Sequence, residues 1–198
     1  PDLDILVVDD SSPDGTATIV TELATGNPHI RLMSRPGKQG LGTAYVAGFK
    51  DCLARGYQVL CQMDCDFSHQ PRYLPDFFRE IASADVVAGS RYVKGGRTEN
   101  WGFQRKVLSR GGNLYARMIL GVPVSDLTGG FKCYRRAVLE AIDLDSFHAA
   151  GYAFQMETLF RAWRKGFRIK EIPIVFPDRT AGKSKLGQGI FWESLAMP

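Results

Sequence analysis

Asp64 and Asp66 bracket a single residue in the stretch VLCQMDCDFSHQP, residues 59–71. The apolar run 59–63 predicts a buried strand. Both carboxylates then leave its carboxyl end, where open α/β sheets bind ligands. Two hard oxygen ligands there suit a divalent cation beside a phosphate, because Mg²⁺ is usually bound by one or two carboxylates plus substrate oxygens. The chemistry this suggests is that of an enzyme acting on a phosphorylated, nucleotide-linked substrate. A D-x-D by itself fits a polar turn equally well.

Two further candidate segments lie upstream. The first strand ends in VVDDSSPDGT, residues 7–16. A carboxylate can accept a bidentate pair of donors from a base or ribose. Ser12 or Asp14 is expected to cap the following helix, which leaves Asp9 and Asp10 as the better ligand candidates. The second segment, RPGKQGLGTA at 35–44, is a basic glycine-rich loop opening a helix. Around Lys38 and Gly40, backbone N–H groups and the helix N-terminus could face a phosphate or nucleotide. The loop is neither a Walker A motif nor a G-x-G-x-x-G fingerprint.

Strand and helix signals alternate around these residues. Strands are predicted at 5–8, 30–33, 59–63 and 86–88, and helices at 14–25, 40–55 and 71–82. That order argues for βαβ units and a largely parallel sheet. Residues 92–102 read as a charged loop. A helix over 104–120 should stop at Gly121 and Pro123. SDLTGGFKCYRR reads as a turn entering a strand. An amphipathic helix over 152–165 places Tyr152, Met156, Leu159 and Trp163 near one stripe, a core face rather than a cofactor box. A strand is predicted at 169–176, followed by a polar, basic, glycine-containing loop over 180–189.

The 198 residues suit one domain with a sizeable core. Composition, 44% hydrophobic and 23% charged, is that of a globular protein. No apolar run reaches the roughly 18 residues of a membrane span, and no signal peptide is visible. The net charge of +4 is unevenly spread: residues 1–90 hold 7 Lys/Arg against 12 Asp/Glu, and the rest hold 18 against 9. The first part can hold a cation and the second an anion. The basic half lacks the aromatic-basic interleaving of a nucleic-acid module, so nucleic acid is not an expected partner. The four cysteines make neither a zinc cluster nor a disulfide framework. They are expected as free thiols in a reducing cytoplasm.

VVDDSSPDGT, RPGKQGLGTAYVAGF, MDCDFSHQP, GSRYVKGG, DLTGGFKCYRR, GYAFQMETLFRAWRKGF and EIPIVFPDRTAGKSKLG follow one another in this order. Through them the chain resembles the polyprenol-phosphate (dolichol-phosphate) mannosyltransferases of glycosyltransferase family 2, over nearly its whole length. Asp64-Cys65-Asp66 stands where that family usually has Asp-Ala-Asp. The resemblance implies an α/β GT-A (Rossmann-like) fold, with a mostly parallel central sheet flanked by helices. It implies a single catalytic domain over 1–198 that lacks the family's first strand, the one ending in a Pro-Thr-Tyr-Asn-Glu-like segment. It further implies GDP-mannose as donor, Mg²⁺ or Mn²⁺ as cofactor, a polyprenyl monophosphate lipid as acceptor, and inversion at the transferred sugar.

By position, the resemblance assigns Asp9 and Asp10 to the base and ribose, and Asp64 and Asp66 to the metal and diphosphate. Gln70 falls beside the metal, and Arg91 and Arg105 face phosphates. Asp126 lies in the acceptor loop, as a positioning residue rather than a base. Arg179 and Lys185 would hold the lipid phosphate. His69 is expected to be a turn residue or a hydrogen-bonding support, not the base. The protein is expected to lie on the cytoplasmic face of a membrane without spanning it. A polyprenol-phosphate glucosyltransferase or other family 2 enzyme, a nucleic-acid-binding module and a catalytically silent scaffold are the competing readings.

Overall fold

The computed structural model describes residues 3–147 and 152–178. Its first half follows the expected alternation: β1 (Ile5–Asp9), α1 (Thr16–Gly26), β2 (Ile30–Ser34), α2 (Leu41–Ala54), β3 (Val59–Gln62), α3 (Leu74–Glu80) and β4 (Val86–Ser90). A single 3₁₀ turn, Pro71–Tyr73, leads into α3. β1 and β2 pair in parallel. The remaining long strands form a four-stranded sheet ordered β3-β6-β4-β7, with β6 (Lys132–Arg135) and β7 (Ile169–Pro173). β4 and β7 are parallel, whereas β6 runs antiparallel to both β3 and β4. The start of β6 therefore lies beside the carboxyl ends of β3 and β4, with Lys132 opposite Gln62 and Ala88.

Side chains alternate across this sheet, as strand geometry requires. Val86 and Tyr134 enter one apolar cluster, which they share with Phe49 of α2 and with Phe154 and Leu159 of α6 (Tyr152–Arg164). Val87 and Cys133 enter the other, with Phe77 of α3 and Phe131. The central strands are covered on both faces, which is why β4 is buried at all five positions. Met156 and Leu159 belong to the core and Trp163 packs against it, so the aromatic stripe of α6 is a packing face.

α4 (Phe103–Leu120) ends where Gly121 takes φ +64, a left-handed value that glycine adopts at no steric cost. Three elements depart from expectation. The charged loop contains a short strand, β5 (Arg97–Glu99), paired in parallel with β8 (Val175–Pro177). The single strand predicted over 169–176 is divided there: β7 pairs with β4, and β8 turns away to β5. A short helix, α5 (Arg136–Ala141), follows β6 directly.

Candidate active site

The topology gathers Asp64, which follows β3, and Arg91, which follows β4, at one end of the four-stranded sheet, while Asp9 closes β1 in the separate β1-β2 pair. Because β6 is antiparallel, the loop that feeds it, Asp126–Gly130, arrives at the same end.

Asp64 is half-buried and accepts a hydrogen bond from the Tyr45 hydroxyl at 2.6 Å through Oδ1. Burial, and after it the Asp64 charge, push the Tyr45 phenol well up, so it stays a donor. Below Asp64 lies His69, buried and stacked on Phe131. His69 Nδ1 accepts the Asp64 backbone N–H at 2.8 Å, which places the ring proton of a neutral imidazole on Nε2. A ring so placed fixes the backbone of the acidic turn, which suits the expected supporting role.

The turn itself is tight. Asp66 Oδ1 accepts the Ser68 N–H at 3.1 Å and the Ser68 hydroxyl. Between them Phe67 is 76% exposed at φ +63, a left-handed conformation that a bulky side chain rarely adopts. Gln70 is half-buried just before the 3₁₀ turn. Gly130 closes in on this turn: a Cβ there would meet His69 at 3.2 Å and Asp64 Oδ2 at 3.6 Å. A side chain at 130 would crowd both groups.

Opposite the acidic turn, Arg91 is buried and grips Asp126, which is wholly buried. Nε and Nη2 each donate at 2.7 Å to separate carboxylate oxygens, the Arg91 backbone N–H adds a 3.0 Å bond, and Nη2 reaches Thr128 Oγ1 at 2.7 Å. Burial works against ionisation of Asp126, but the Arg91 charge and its hydrogen bonds outweigh it and hold the carboxyl below its usual range. The Arg91 guanidinium also sits against the rings of Trp101 and Phe176. Two residues beyond the expected set fix the loop backbone. Glu171 accepts the N–H groups of Ser125 and Asp126 at 2.7 and 3.0 Å. Asn113 of α4 accepts the N–H of Leu127 at 2.8 Å and donates to the Ser125 carbonyl.

Beneath both halves runs a buried polar chain. Lys132 Nζ donates to the backbone carbonyl and Oε1 of Gln155 at 2.6 and 2.9 Å. Gln62 Nε2 donates to Gln155 Oε1 and to the Gly130 carbonyl at 2.7 and 2.8 Å. Burial lowers the Lys132 amine to about 7, although Asp126 pulls the other way.

The nucleotide candidates behave differently from one another. Asp9 is buried and accepts the Ser12 N–H at 3.1 Å. Asp10 is clamped by Arg35 through paired bonds of 2.6 and 2.7 Å, which hold its carboxyl below the usual range. A base or ribose contact at Asp10 would compete with Arg35. Thr16 N–H and hydroxyl both bond Asp14, so Asp14 supports the start of α1. Lys38 is exposed, and Gly40 immediately precedes α2. Arg105 donates to Asp178 at 2.5 Å and lies 3.8 Å over the Trp101 ring, on the Arg91 side of the site. Arg179 and Lys185 lie outside the described residues.

Against known proteins, residues 1–143 match the family described as glycosyl transferase family 2. The chain belongs to that family. It is thus a glycosyltransferase. It is 47% identical, over 98% of its length and 80% of the relative's, to an undecaprenyl-phosphate mannosyltransferase of Micrococcus luteus. It is 48% identical, over 94% of its length and 71% of the relative's, to a polyprenol monophosphomannose synthase of Mycolicibacterium smegmatis. Among solved structures it resembles glucosyl-3-phosphoglycerate synthase of Mycobacterium tuberculosis in complex with phosphoglyceric acid (TM-score 0.67, 17% identity, 97% of this chain and 66% of that one). It also resembles that enzyme with Mn²⁺ and UDP-glucose (TM-score 0.64, 18% identity, 96% and 64%). The fold of this glycosyltransferase is accordingly GT-A. The chain spans about two thirds of the length of those structures.

Proposed function

We propose that this glycosyltransferase moves mannose from GDP-mannose to a polyprenyl monophosphate, with inversion at the anomeric carbon. The observation that carries the reading is the pair Asp64 and Asp66 at the end of β3, in a chain 47–48% identical to enzymes named for polyprenol-phosphate mannosylation. Two carboxylates fit a divalent cation that draws its remaining ligands from diphosphate and water. Among the described residues no third His, Cys, Asp or Glu joins them. Asp64 and Asp66, with Gln70, would hold Mg²⁺ or Mn²⁺. Such an ion, when bound, supplies charge neutralisation for the departing diphosphate.

The chain's own residues do the rest. Tyr45 and His69 hold Asp64 in place from side chain and backbone. Asp9 and Asp10, with the Lys38–Gly40 loop, are assigned to the nucleoside end of the donor. Asp126 keeps Arg91 aimed, so it acts through Arg91 rather than as a base: the carboxylate is already filled by donors. Arg91, Arg105, Arg179 and Lys185 are assigned to phosphate oxygens. The acceptor phosphate loses its second proton at a pKa of about 6. It therefore attacks without a strong base: one phosphate oxygen bonds the anomeric carbon as the bond to the diphosphate breaks. The reading puts the reaction at the cytoplasmic face of a membrane, in keeping with four unpaired thiols.

The test is a transfer assay on the full-length protein with a polyprenyl phosphate and a panel of sugar nucleotides. Transfer from GDP-mannose, lost in Asp64→Ala and in Asp66→Ala while both variants stay folded, is the expected result. Metal-dependent turnover retained in both variants would refute the metal assignment. A preference for UDP-glucose would move the enzyme to glucosyl transfer.

A further inference from the structure

Two of the four cysteines face each other across the sheet. Cys61 of β3 and Cys133 of β6 are direct partners in the antiparallel register. Antiparallel partners alternate between hydrogen-bonded and non-hydrogen-bonded pairs. Two backbone bonds fix the phase here. Arg136 donates its N–H to the Gln58 carbonyl at 2.8 Å, and Arg135 donates its N–H away from β3, to the Asp85 carbonyl at 3.0 Å. Alternation back along β6 then puts Cys133 in a non-hydrogen-bonded pair with Cys61. In such pairs the Cα atoms lie about 4.5 Å apart and the side chains are at their closest. Disulfides span Cα separations of about 4.4–6.8 Å. Both side chains enter one apolar cluster: Cys133 is fully buried there with Phe77 and Phe131, and Cys61 packs against it. The thiols are close enough to hydrogen-bond, and that bond, with burial, pushes the Cys61 thiol well up. Cys52 packs on the opposite cluster, and Cys65 is exposed on the acidic turn.

We infer that Cys61 and Cys133 form a site of reversible oxidation, at which a disulfide oxidant such as glutathione disulfide joins β3 to β6 and slows the enzyme. The Cys61 thiolate attacks one sulfur of the oxidant, a mixed disulfide forms and one glutathione thiolate leaves. The Cys133 thiolate then attacks the Cys61 sulfur, the Cys61–Cys133 bond forms and the second glutathione leaves. The two cysteines lose two electrons and two protons, and the oxidant gains both as two glutathione thiols. Cys61 is the half-buried member, so it is the sulfur the oxidant meets first. A raised thiol is sparsely ionised at neutral pH, so the exchange is slow, on the order of minutes to hours. The bond reaches the site through the two strands. Asp64 lies three residues after Cys61, and Gly130 lies three before Cys133. Gln62 Nε2 already bonds the Gly130 carbonyl at 2.8 Å, and a Cβ on Gly130 would have only 3.2 Å to His69 and 3.6 Å to Asp64 Oδ2. Contracting two thiols in contact to an S–S bond of about 2.05 Å draws β3 and β6 together at this point. Asp64 and the Asp126 loop then shift relative to one another, and misplacement of that kind lowers turnover strongly.

The experiment incubates the full-length protein and its Cys61→Ala variant overnight with glutathione disulfide. Free thiols are then blocked in acid, and disulfides are mapped by mass spectrometry of proteolytic peptides. Transfer is measured in parallel, before and after dithiothreitol. The parent should give a peptide pair linked through Cys61 and Cys133, lighter by two hydrogens than the two free peptides. Its transfer should fall roughly tenfold and return on reduction. Cys61→Ala should form no such link and should keep its transfer in the oxidant. No linked pair in the parent would overturn the inference, as would a link made to Cys52 or Cys65 instead. A Cys61–Cys133 link with transfer unchanged would overturn its control of the site. An equal loss of transfer in Cys61→Ala would assign that loss to another thiol and overturn it too. The mapping needs no transfer, so a parent that links Cys61 to Cys133 yet moves no mannose keeps the oxidation site and fails only the mannosyl reading.

Discussion

Arg91 and Asp126 form one closed unit. The guanidinium meets both carboxylate oxygens at 2.7 Å, and the carboxylate is wholly shielded from solvent. This pair converts a buried acid into a fixture that aims a cation at the end of the sheet.

Breaking the pair from one side should therefore cost more than function. Asp126→Ala removes the carboxylate that faces a buried guanidinium and is expected to cost about 3–5 kcal/mol, read from urea unfolding. Replacing both residues, as Arg91→Met/Asp126→Leu, should recover much of that stability while transfer stays lost. Near-normal transfer by the double variant would remove the pair from the site. Because the folded Asp126 carboxyl lies below its ordinary 3.8, its contribution to stability is present above that pH and fades as pH falls through the folded value.

Tyr45→Phe removes the 2.6 Å hydrogen bond to Asp64 and little else. Supports of this kind tune metal affinity, and their loss typically costs about 10–100-fold. Titration of activity with Mn²⁺ should show a half-maximal concentration raised by about that factor, with an unfolding midpoint close to the parent's. Unchanged metal dependence would leave Tyr45 a packing residue.

Lys132 makes a prediction about pH. Its folded value of about 7 lies below the ordinary 10.5, so between these values the unfolded chain binds the extra proton. Its burial thus penalises folding in full below about pH 7, and the penalty declines as pH rises toward 10.5. Lys132→Met should flatten the rise of stability with pH across that window, measured as urea midpoints in matched buffers. An identical slope in both proteins would mean that the amine stays charged in the fold.

Phe67 is held at φ +63 with its ring in solvent. A left-handed residue with a Cβ costs about 1–2 kcal/mol, against about 0.5–1 kcal/mol for the entropy of a glycine. Phe67→Gly should leave thermal stability equal or slightly higher. A clear loss of stability would show that the ring packs on something after all. A fall in transfer without a fall in stability would give the exposed ring a role at the substrate.

Much of this was written into the sequence. The period-two and helical runs before residue 90 are local signals, so strands and helices over that stretch lie within a few residues of expectation, and Asp64 and Asp66 sit at a strand end as their spacing implies. Gly121 ends its helix because left-handed backbone is a property of the residue itself. Pairing across the chain is not local. Arg97–Glu99 shows no alternation and becomes a strand only because β8 lies beside it. Asp10 reads as an open ligand until Arg35, 25 residues on, closes over it. Nothing near Tyr45, Asn113, Lys132 or Glu171 marks them, because each acts through a partner brought in by the fold. Even the apolar run of α4 predicts only a helix. Which side faces the protein was decided by tertiary contacts: Asn113 bonds the backbone of the Asp126 loop, while Ala116 and Leu120 pack on the core.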